Sequence, residues 1–264
     1  MRTDFETLHV ERIDEHVLLV MFDRPEVANA RNTLMGLEQL ELMRALYVDS
    51  EGIRCTVLTG RGDRAFSAGG DLNERDGMAP EDWRRQHAVF EQCVHAMRAC
   101  PVPVIAAVNG AAFGGGCETA LACDFIYASS NARFALTETT LGIMPGCMGT
   151  QNLPGAVGMR RAKEIILTGE PFTAEQALAW GLVNRLCAPE RLLEETLATA
   201  HRIAANAPLA IMRAKRAISA ADQLDWHTGY QLELEAYNRL VGTEDQAEGV
   251  RAFNEGRKPE FKGR

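Results

Sequence analysis

No run of apolar residues in this chain approaches the length needed to cross a bilayer. The segment Met1 to Arg12 is charged and lacks the apolar stretch of a secretory signal, so a cytoplasmic setting and no membrane partner are expected. Basic residues are in the minority: 28 Lys and Arg against 36 Asp and Glu leave a net charge of −8, and no lysine occurs between Leu72 and Cys100. That balance speaks against a broad nucleic-acid footprint, though a local basic pocket for an anionic small molecule stays open. There is no HExxH, no Cys/His ligand spacing and no C-x-x-C, so no metal site is expected. The seven cysteines are odd in number, and several sit in apolar surroundings. They are expected to be reduced core residues.

What is present is an α/β grammar. Leu8–Ile13 and Val17–Phe22 read as strands joined by a turn at Asp14-Glu15. The spacing of Leu34, Leu37, Leu40, Leu42 and Leu46 predicts a helix after Asn32, a plausible N-cap. Strands follow at Cys55–Gly60 and Val102–Val108, with a helix over Pro80–Ala99 between them. Short strands are expected at Phe125–Ala128 and Ala132–Phe134. After Pro189 only helices remain: 190–205, 208–220, 224–240 and 244–255. Their apolar faces suit either a partner subunit or the chain's own core.

Within the stretch Asn109-Gly110-Ala111-Ala112-Phe113-Gly114-Gly115-Gly116-Cys117-Glu118, an apolar strand feeds consecutive glycines and then a helix. Such a junction can aim backbone N–H groups and a helix N-terminus at an anion or a developing oxyanion. Glu118 falls about one turn after Gly115, on the same side. A tight turn beside a solvated glutamate is the plainer alternative. A second glycine turn, Ala65-Phe66-Ser67-Ala68-Gly69-Gly70-Asp71, also follows a strand and supplies a second backbone donor. A second carboxylate, Glu138, then leads into the Gly142 to Gly146 turn. Taken alone, either glutamate could be a salt-bridged or capping residue.

Together these segments resemble the enoyl-CoA hydratase/isomerase (crotonase) superfamily. AFSAG-x-D, PVIAAVNG-x-A-x-GGG-x-E and F-x-x-x-E-x-x-LGI-x-PG-x-x-GTQ occur in order, followed by RAKEIILTG at Arg161–Gly169. The resemblance covers nearly the whole chain. It implies a crotonase (ClpP-like) α/β spiral of repeated ββα units over residues 1–195 and a helical oligomerisation region over 196–264. A homotrimer, or a hexamer built as a dimer of trimers, is the implied assembly. The implied reaction is addition of water across the 2,3 double bond of a 2-enoyl-CoA, with coenzyme A as part of the substrate and no separate cofactor. By the same resemblance, Gly70 and Gly115 supply an oxyanion hole, Glu138 delivers a proton to C2, and Glu118 holds and polarises the water. Ala68, Asp71, Leu72, Gly114, Gly146 and Met148 fall at substrate- or CoA-binding positions. Phe261 and Lys262 match residues that reach the CoA of a neighbouring subunit.

The chain departs from the family pattern at several positions. Ala28 stands where a basic residue is usual, and Arg31 where an apolar one is. Arg31 is expected to be solvent-exposed, with replacement of the lost CoA-phosphate contact as its alternative. Met148 stands where a small residue is usual and is expected to narrow or reshape the acyl pocket, and Asn152 replaces an arginine. The segments Asp71–Met78 and Thr228–Lys262 resemble the methylglutaconyl-CoA hydratase branch, whose eukaryotic member also binds RNA. In that setting Arg75 is either a helix-surface residue or the partner of a second substrate carboxylate. The cluster Arg160, Arg161 and Lys163 reads as a solvated face. Double-bond isomerisation, branched-acid hydration and a non-enzymatic RNA-binding or scaffold role are the rival readings; the last is disfavoured by charge.

Overall fold

A computed structural model of the chain describes residues 1–221 and 223–264. The first half runs β1 (Leu8–Arg12), β2 (Val17–Phe22), α1 (Thr33–Val48), β3 (Cys55–Gly60), β4 (Ala65–Ser67), α2 (Leu72–Arg75) and α3 (Pro80–Ala99). It continues through β5 (Val104–Val108), β6 (Ala111–Phe113), α4 (Gly115–Ala122), β7 (Phe125–Ser129) and β8 (Arg133–Ala135). A 3-10 turn at Glu138–Leu141 leads to α5 (Gly149–Val157), α6 (Met159–Thr168), β9 (Phe172–Thr173), α7 (Ala174–Ala179) and β10 (Arg185–Cys187). The chain closes with α8 (Leu192–Ala204), α9 (Pro208–Ala221), α10 (Trp226–Asn238) and α11 (Glu244–Glu255).

From β3 to β8 successive strands alternate between two sheets. The larger has order β1-β2-β3-β5-β7-β10 and the smaller β4-β6-β8-β9. Thus β3 hands over to β4, β5 to β6 and β7 to β8, each pair followed by helix or turn, which is the expected ββα spiral. From β2 onward the large sheet is parallel, and β4, β6 and β8 are parallel to one another. Parallel strands place their C-terminal ends together, and the crevice beyond those ends is where ligands bind in such sheets.

The large sheet is buried on both faces, and its strands therefore read as continuous apolar runs rather than alternating ones. Leu18, Val20 and Phe22 point into the main core with Met35, Leu42 and Phe66. Val17 and Leu19 point the other way, against Leu192, Ala200 and Ala204 of α8. Helix α8 thus covers the back of the sheet and runs across residue 195. Helices α9 and α10 bury no residue within the chain.

The expected elements form at nearly the expected bounds. Asn32 caps α1 by accepting a bond from the Met35 N–H at 2.9 Å. The strand expected from Val102 starts at Val104, after Pro103, which has no N–H to give the ladder. The helix expected from 190 is a 3-10 turn at Pro189–Arg191 followed by α8. The cysteines are free thiols, all buried except the partly exposed Cys123.

Candidate active site

The two glycine turns meet side by side. Strand β4 pairs with β6, so the turn after Ser67 lies against the turn after Phe113. The approach is closer than any side chain allows: a Cβ on Gly116 would come within 2.2 Å of the Ser67 carbonyl oxygen. At Gly69, with φ +91°, an added Cβ would come within 2.7 Å of the Phe113 carbonyl oxygen and 3.0 Å of the Gly115 nitrogen.

This packing leaves two N–H groups free. Arg31 N–H donates to the Gly69 carbonyl at 2.7 Å, and Asp71 N–H donates to the Arg31 carbonyl at 3.0 Å. Gly70, between them, turns its own N–H to the opposite side, as extended backbone must. Gly115 opens α4, where an N–H has no intrahelical acceptor. Gly70 and Gly115 both line one cleft of about 450 Å³. Two donors converging there can stabilise an oxyanion.

Both glutamates line the same cleft. Glu118 is 2% exposed, and its Oε1 accepts the N–H groups of Cys147 at 2.8 Å and Gly149 at 2.9 Å. Burial pushes its carboxyl above the ordinary range, while the two N–H bonds pull it back toward the charged form. Glu138 is 8% exposed and begins the 3-10 turn, and its buried Oε2 has no hydrogen-bond partner. Burial, and then repulsion by Glu118, raise its carboxyl to about 7. The two carboxyls therefore differ in their ligands: Glu118 accepts two backbone N–H bonds that favour its ionised form, and Glu138, with its Oε2 unpartnered, is poised to carry the proton.

Ala68, Leu72, Gly114 and Gly146 also line the cleft, as expected from their positions. Asp71 does not line it. Its Oδ1 caps α2 by accepting from the Asn73 and Glu74 N–H groups, and its Oδ2 pairs with Arg24 at 2.7 Å. Met148 does not narrow the cleft. It takes a left-handed φ of +68° ahead of α5, and its side chain packs against the main core. Phe261 and Lys262 also lie outside the cleft: the Phe261 carbonyl accepts from Arg54, and the Lys262 N–H donates to Asp245. Asn152 accepts a hydrogen bond from Arg98, so a cation from α3 meets the position where an arginine is usual.

Two arginines correct the sequence reading. Arg31, expected in solvent, is 2% exposed and reaches the cleft beneath α4. Arg75, read chiefly as a surface residue, lies in the wall of the cleft. Its Nε donates to Gln86 at 2.7 Å, and its guanidinium lies 4.5 Å from the Trp83 ring centroid. Sequence reasoning missed Trp83, His87 and Phe90, which α3 contributes to the same wall. A helix-periodic segment gives no sign of which face meets a cleft. Arg31 did carry a signal, since it is a charge at a position where the pattern is apolar.

The ββα spiral and its cleft of paired carboxyls and free N–H groups define a protein of the crotonase class. The chain belongs to the Enoyl-CoA hydratase/isomerase family, whose sequence profile matches residues 12–264. It is 40% identical over 249 residues to the short-chain-enoyl-CoA hydratase of Clostridium acetobutylicum, covering 94% of this chain and 95% of that one. It is also 40% identical over 251 residues to the 2,3-dehydroadipyl-CoA hydratase of Escherichia coli, covering 95% and 96%. Among solved structures, it matches an enoyl-CoA hydratase from Bacillus anthracis with a TM-score of 0.96 at 40% identity, covering 98% of this chain and 100% of that one.

Proposed function

We propose that the chain is an enoyl-CoA hydratase that adds water reversibly across the 2,3 double bond of a 2-enoyl-CoA. The carrying observation is the contrast between the two buried carboxyls in one cleft, Glu118 bound by two backbone N–H groups and Glu138 left without a partner at Oε2. The thioester oxygen takes the Gly70 and Gly115 N–H groups, which stabilise the enolate-like charge that develops on it. Glu118 orients a water toward C3 and accepts a proton from it as the C–O bond forms. Glu138 gives its proton to C2. The product gains one hydroxyl and one hydrogen, and passage of the proton from Glu118 to Glu138 resets the pair. Coenzyme A enters as part of the substrate. Relatives that share the family profile and carry hydratase names support this reading.

A homotrimer, or a pair of them, is proposed as the working form. Trp226, Tyr237, Val241 and Phe253 are exposed on or beside the C-terminal helices, and an interface would cover them. Phe261 and Lys262 are proposed to reach a neighbour's CoA in that assembly. Residues 196–264 are proposed as the region that makes it. No described helix is long and apolar enough to cross a membrane, and a cytoplasmic location is proposed.

One observation favours a second reading of the substrate. Arg75 faces the cleft, and among the described residues no carboxylate lies within ion-pair distance of it. A 2-enoyl-CoA carrying a second carboxylate would supply one.

The experiment follows loss of conjugated enoyl-thioester absorbance with crotonyl-CoA, using wild type, Glu118→Gln and Glu138→Gln. Turnover by wild type and collapse in both variants supports hydration. Loss in Glu138→Gln with retention in Glu118→Gln supports double-bond isomerisation instead. Faster turnover of 2,3-dehydroadipyl-CoA than of hex-2-enoyl-CoA, abolished by Arg75→Gln, supports the second substrate carboxylate.

A further inference from the structure

The guanidinium of Arg75 occupies the space that a side chain at residue 70 would need. A Cβ on Gly70 would lie 2.8 Å from Arg75 Nη1, 3.0 Å from its Cζ and 3.3 Å from its Nη2. The fork therefore rests against the open face of Gly70, whose N–H is one of the two free backbone donors in the cleft.

Arg75 is held there from behind. Its Nε donates to Gln86 Oε1 at 2.7 Å. Gln86, 4% exposed, is fixed in turn by donating to Thr33 Oγ1 at 2.8 Å and to Glu74 Oε2 at 2.7 Å. The Trp83 and Phe90 ring centroids lie 4.5 and 5.7 Å from the guanidinium carbon. Glu74, the acid on the same helix, also accepts the Thr33 N–H at 2.8 Å. Among the described residues Gln86 is the one hydrogen-bond acceptor of Arg75, so Nη1 and Nη2 keep their N–H groups for the cleft.

The second backbone donor has an arginine beside it too. A Cβ on Gly115 would lie 3.9 Å from Arg31 Nη1, and the Arg31 guanidinium carbon is 4.8 Å from the same Phe90 ring centroid. Arg31 is occupied, with Nη1 on Thr119 and Nη2 on Gln39, whereas Arg75 is open. Two like charges around one aromatic ring repel each other, and both gain from a negative charge placed beside them.

We propose that Arg75 is a third, charged donor at the oxyanion hole, stabilising the negative charge that develops on the thioester oxygen. The inference deepens the hydratase reading and takes the reaction from it. As the water oxygen bonds to C3, the 2,3 π pair moves toward C2 and charge gathers on the C1 oxygen; it is discharged when C2 takes the Glu138 proton. A guanidinium already fixed beside Gly70 meets that charge without reorganising. The ground-state carbonyl carries no such charge, so the effect falls on kcat rather than on KM.

The test uses acetoacetyl-CoA, whose enolate places negative charge on the thioester oxygen and absorbs in the near ultraviolet without any water addition. Wild type is expected to bind it enriched in the enolate. Arg75→Gln is expected to lower the bound enolate-to-keto ratio about tenfold, as loss of a hydrogen bond to a charged group would. It should also lower kcat on crotonyl-CoA about 10²-fold, the lower end for loss of one oxyanion-hole donor, with KM little changed. Arg75→Lys, which keeps the charge, retains part of the enolate signal. Gly70→Ala tests the same contact from the other side, because its methyl displaces the flexible guanidinium and the enolate signal falls. Adding Arg75→Gln to Gly70→Ala should then cost little more. Gly70→Ala also serves if Arg75→Gln does not fold. A loss confined to 2,3-dehydroadipyl-CoA, with crotonyl-CoA turnover and the enolate signal intact, overturns the proposal and leaves Arg75 to a second substrate carboxylate. Wild type that leaves acetoacetyl-CoA in its keto form overturns it as well. Wild type that forms the enolate, loses it in Arg75→Gln and hydrates no 2-enoyl-CoA defeats the hydratase reading while the Arg75 assignment stands.

Discussion

Glu118 and Glu138 face one cleft in opposite hydrogen-bonding states: Glu118 Oε1 accepts the N–H groups of Cys147 and Gly149, while the buried Oε2 of Glu138 has no partner. The ionised form of Glu118 is thereby stabilised, and the ionised form of Glu138 is not. With Glu138 at about 7, the proton-donating form prevails below neutrality and is lost above it. The rate of hydration, read as kcat/KM on crotonyl-CoA between pH 5 and 9, is expected to fall on the alkaline side of about pH 7. Each Glu→Gln variant is expected to lose about 10²–10⁴-fold in kcat, the usual range for a general acid or base.

The same asymmetry costs stability. The folded carboxyl of Glu138 at about 7 lies above its ordinary value of 4.5, so the folded state binds this proton more tightly than the unfolded state does. Stability from this group is full below about pH 4.5 and is lost as pH rises through about 7, in total on the order of 3 kcal/mol. Glu138→Gln, which cannot ionise, is therefore expected to be more resistant to urea than wild type at pH 8. It should show little or no such advantage at pH 5. Urea melts at the two pH values measure the difference directly, and a Glu138→Gln that is less stable at pH 8 contradicts it.

Neighbouring glycines in the Gly114–Gly116 run are expected to behave differently. A Cβ on Gly116 meets the Ser67 carbonyl at 2.2 Å, a backbone atom that cannot swing away. Gly116→Ala is expected to cost at least the roughly 1–3 kcal/mol of an overpacked core position and to yield little folded protein. A Cβ on Gly115 finds its nearest atom, the Gly70 nitrogen, at 3.8 Å. Gly115→Ala is expected to melt within a few degrees of wild type yet lose turnover, because the new methyl stands between the two donors. Circular dichroism melts set beside crotonyl-CoA kinetics separate the two outcomes.

The fold was legible because parallel strands buried on both faces leave unbroken apolar runs, and glycines mark the turns after them. Val17–Phe22 and Cys55–Gly60 formed at the residues expected. The backbone side of the site was legible for the same reason. Gly70, Gly115, Glu118 and Glu138 follow strand ends, so topology alone brings them to one crevice. The cleft wall from α3 was not legible, because 3.6-residue periodicity shows that a helix has faces but not what each face meets. Arg31 was misread for a related reason. Charge predicts exposure only when no buried polar partners wait, and Thr119 and Gln39, 88 and 8 residues away, could not be seen as partners in the sequence. Asp71 was assigned toward the ligand, yet its neighbours' N–H groups and Arg24 engage both of its oxygens.

Met148 separates backbone strain from pocket shape. Its φ of +68° is a conformation that side chains other than glycine seldom adopt. Replacing it by glycine removes a penalty of about 1–2 kcal/mol. The same change removes a partly buried thioether side chain from the core, a loss of about 1–2 kcal/mol by area. The two effects oppose each other, and Met148→Gly is expected to leave stability within about 1 kcal/mol of wild type. Since Met148 lies outside the cleft, the ratio of hex-2-enoyl-CoA to crotonyl-CoA turnover should not change. Met144, four residues earlier, lines the cleft and is expected to control that ratio. Met144→Ala should shift it where Met148→Gly does not, and a shift in Met148→Gly alone would place the acyl chain against the turn before α5 instead.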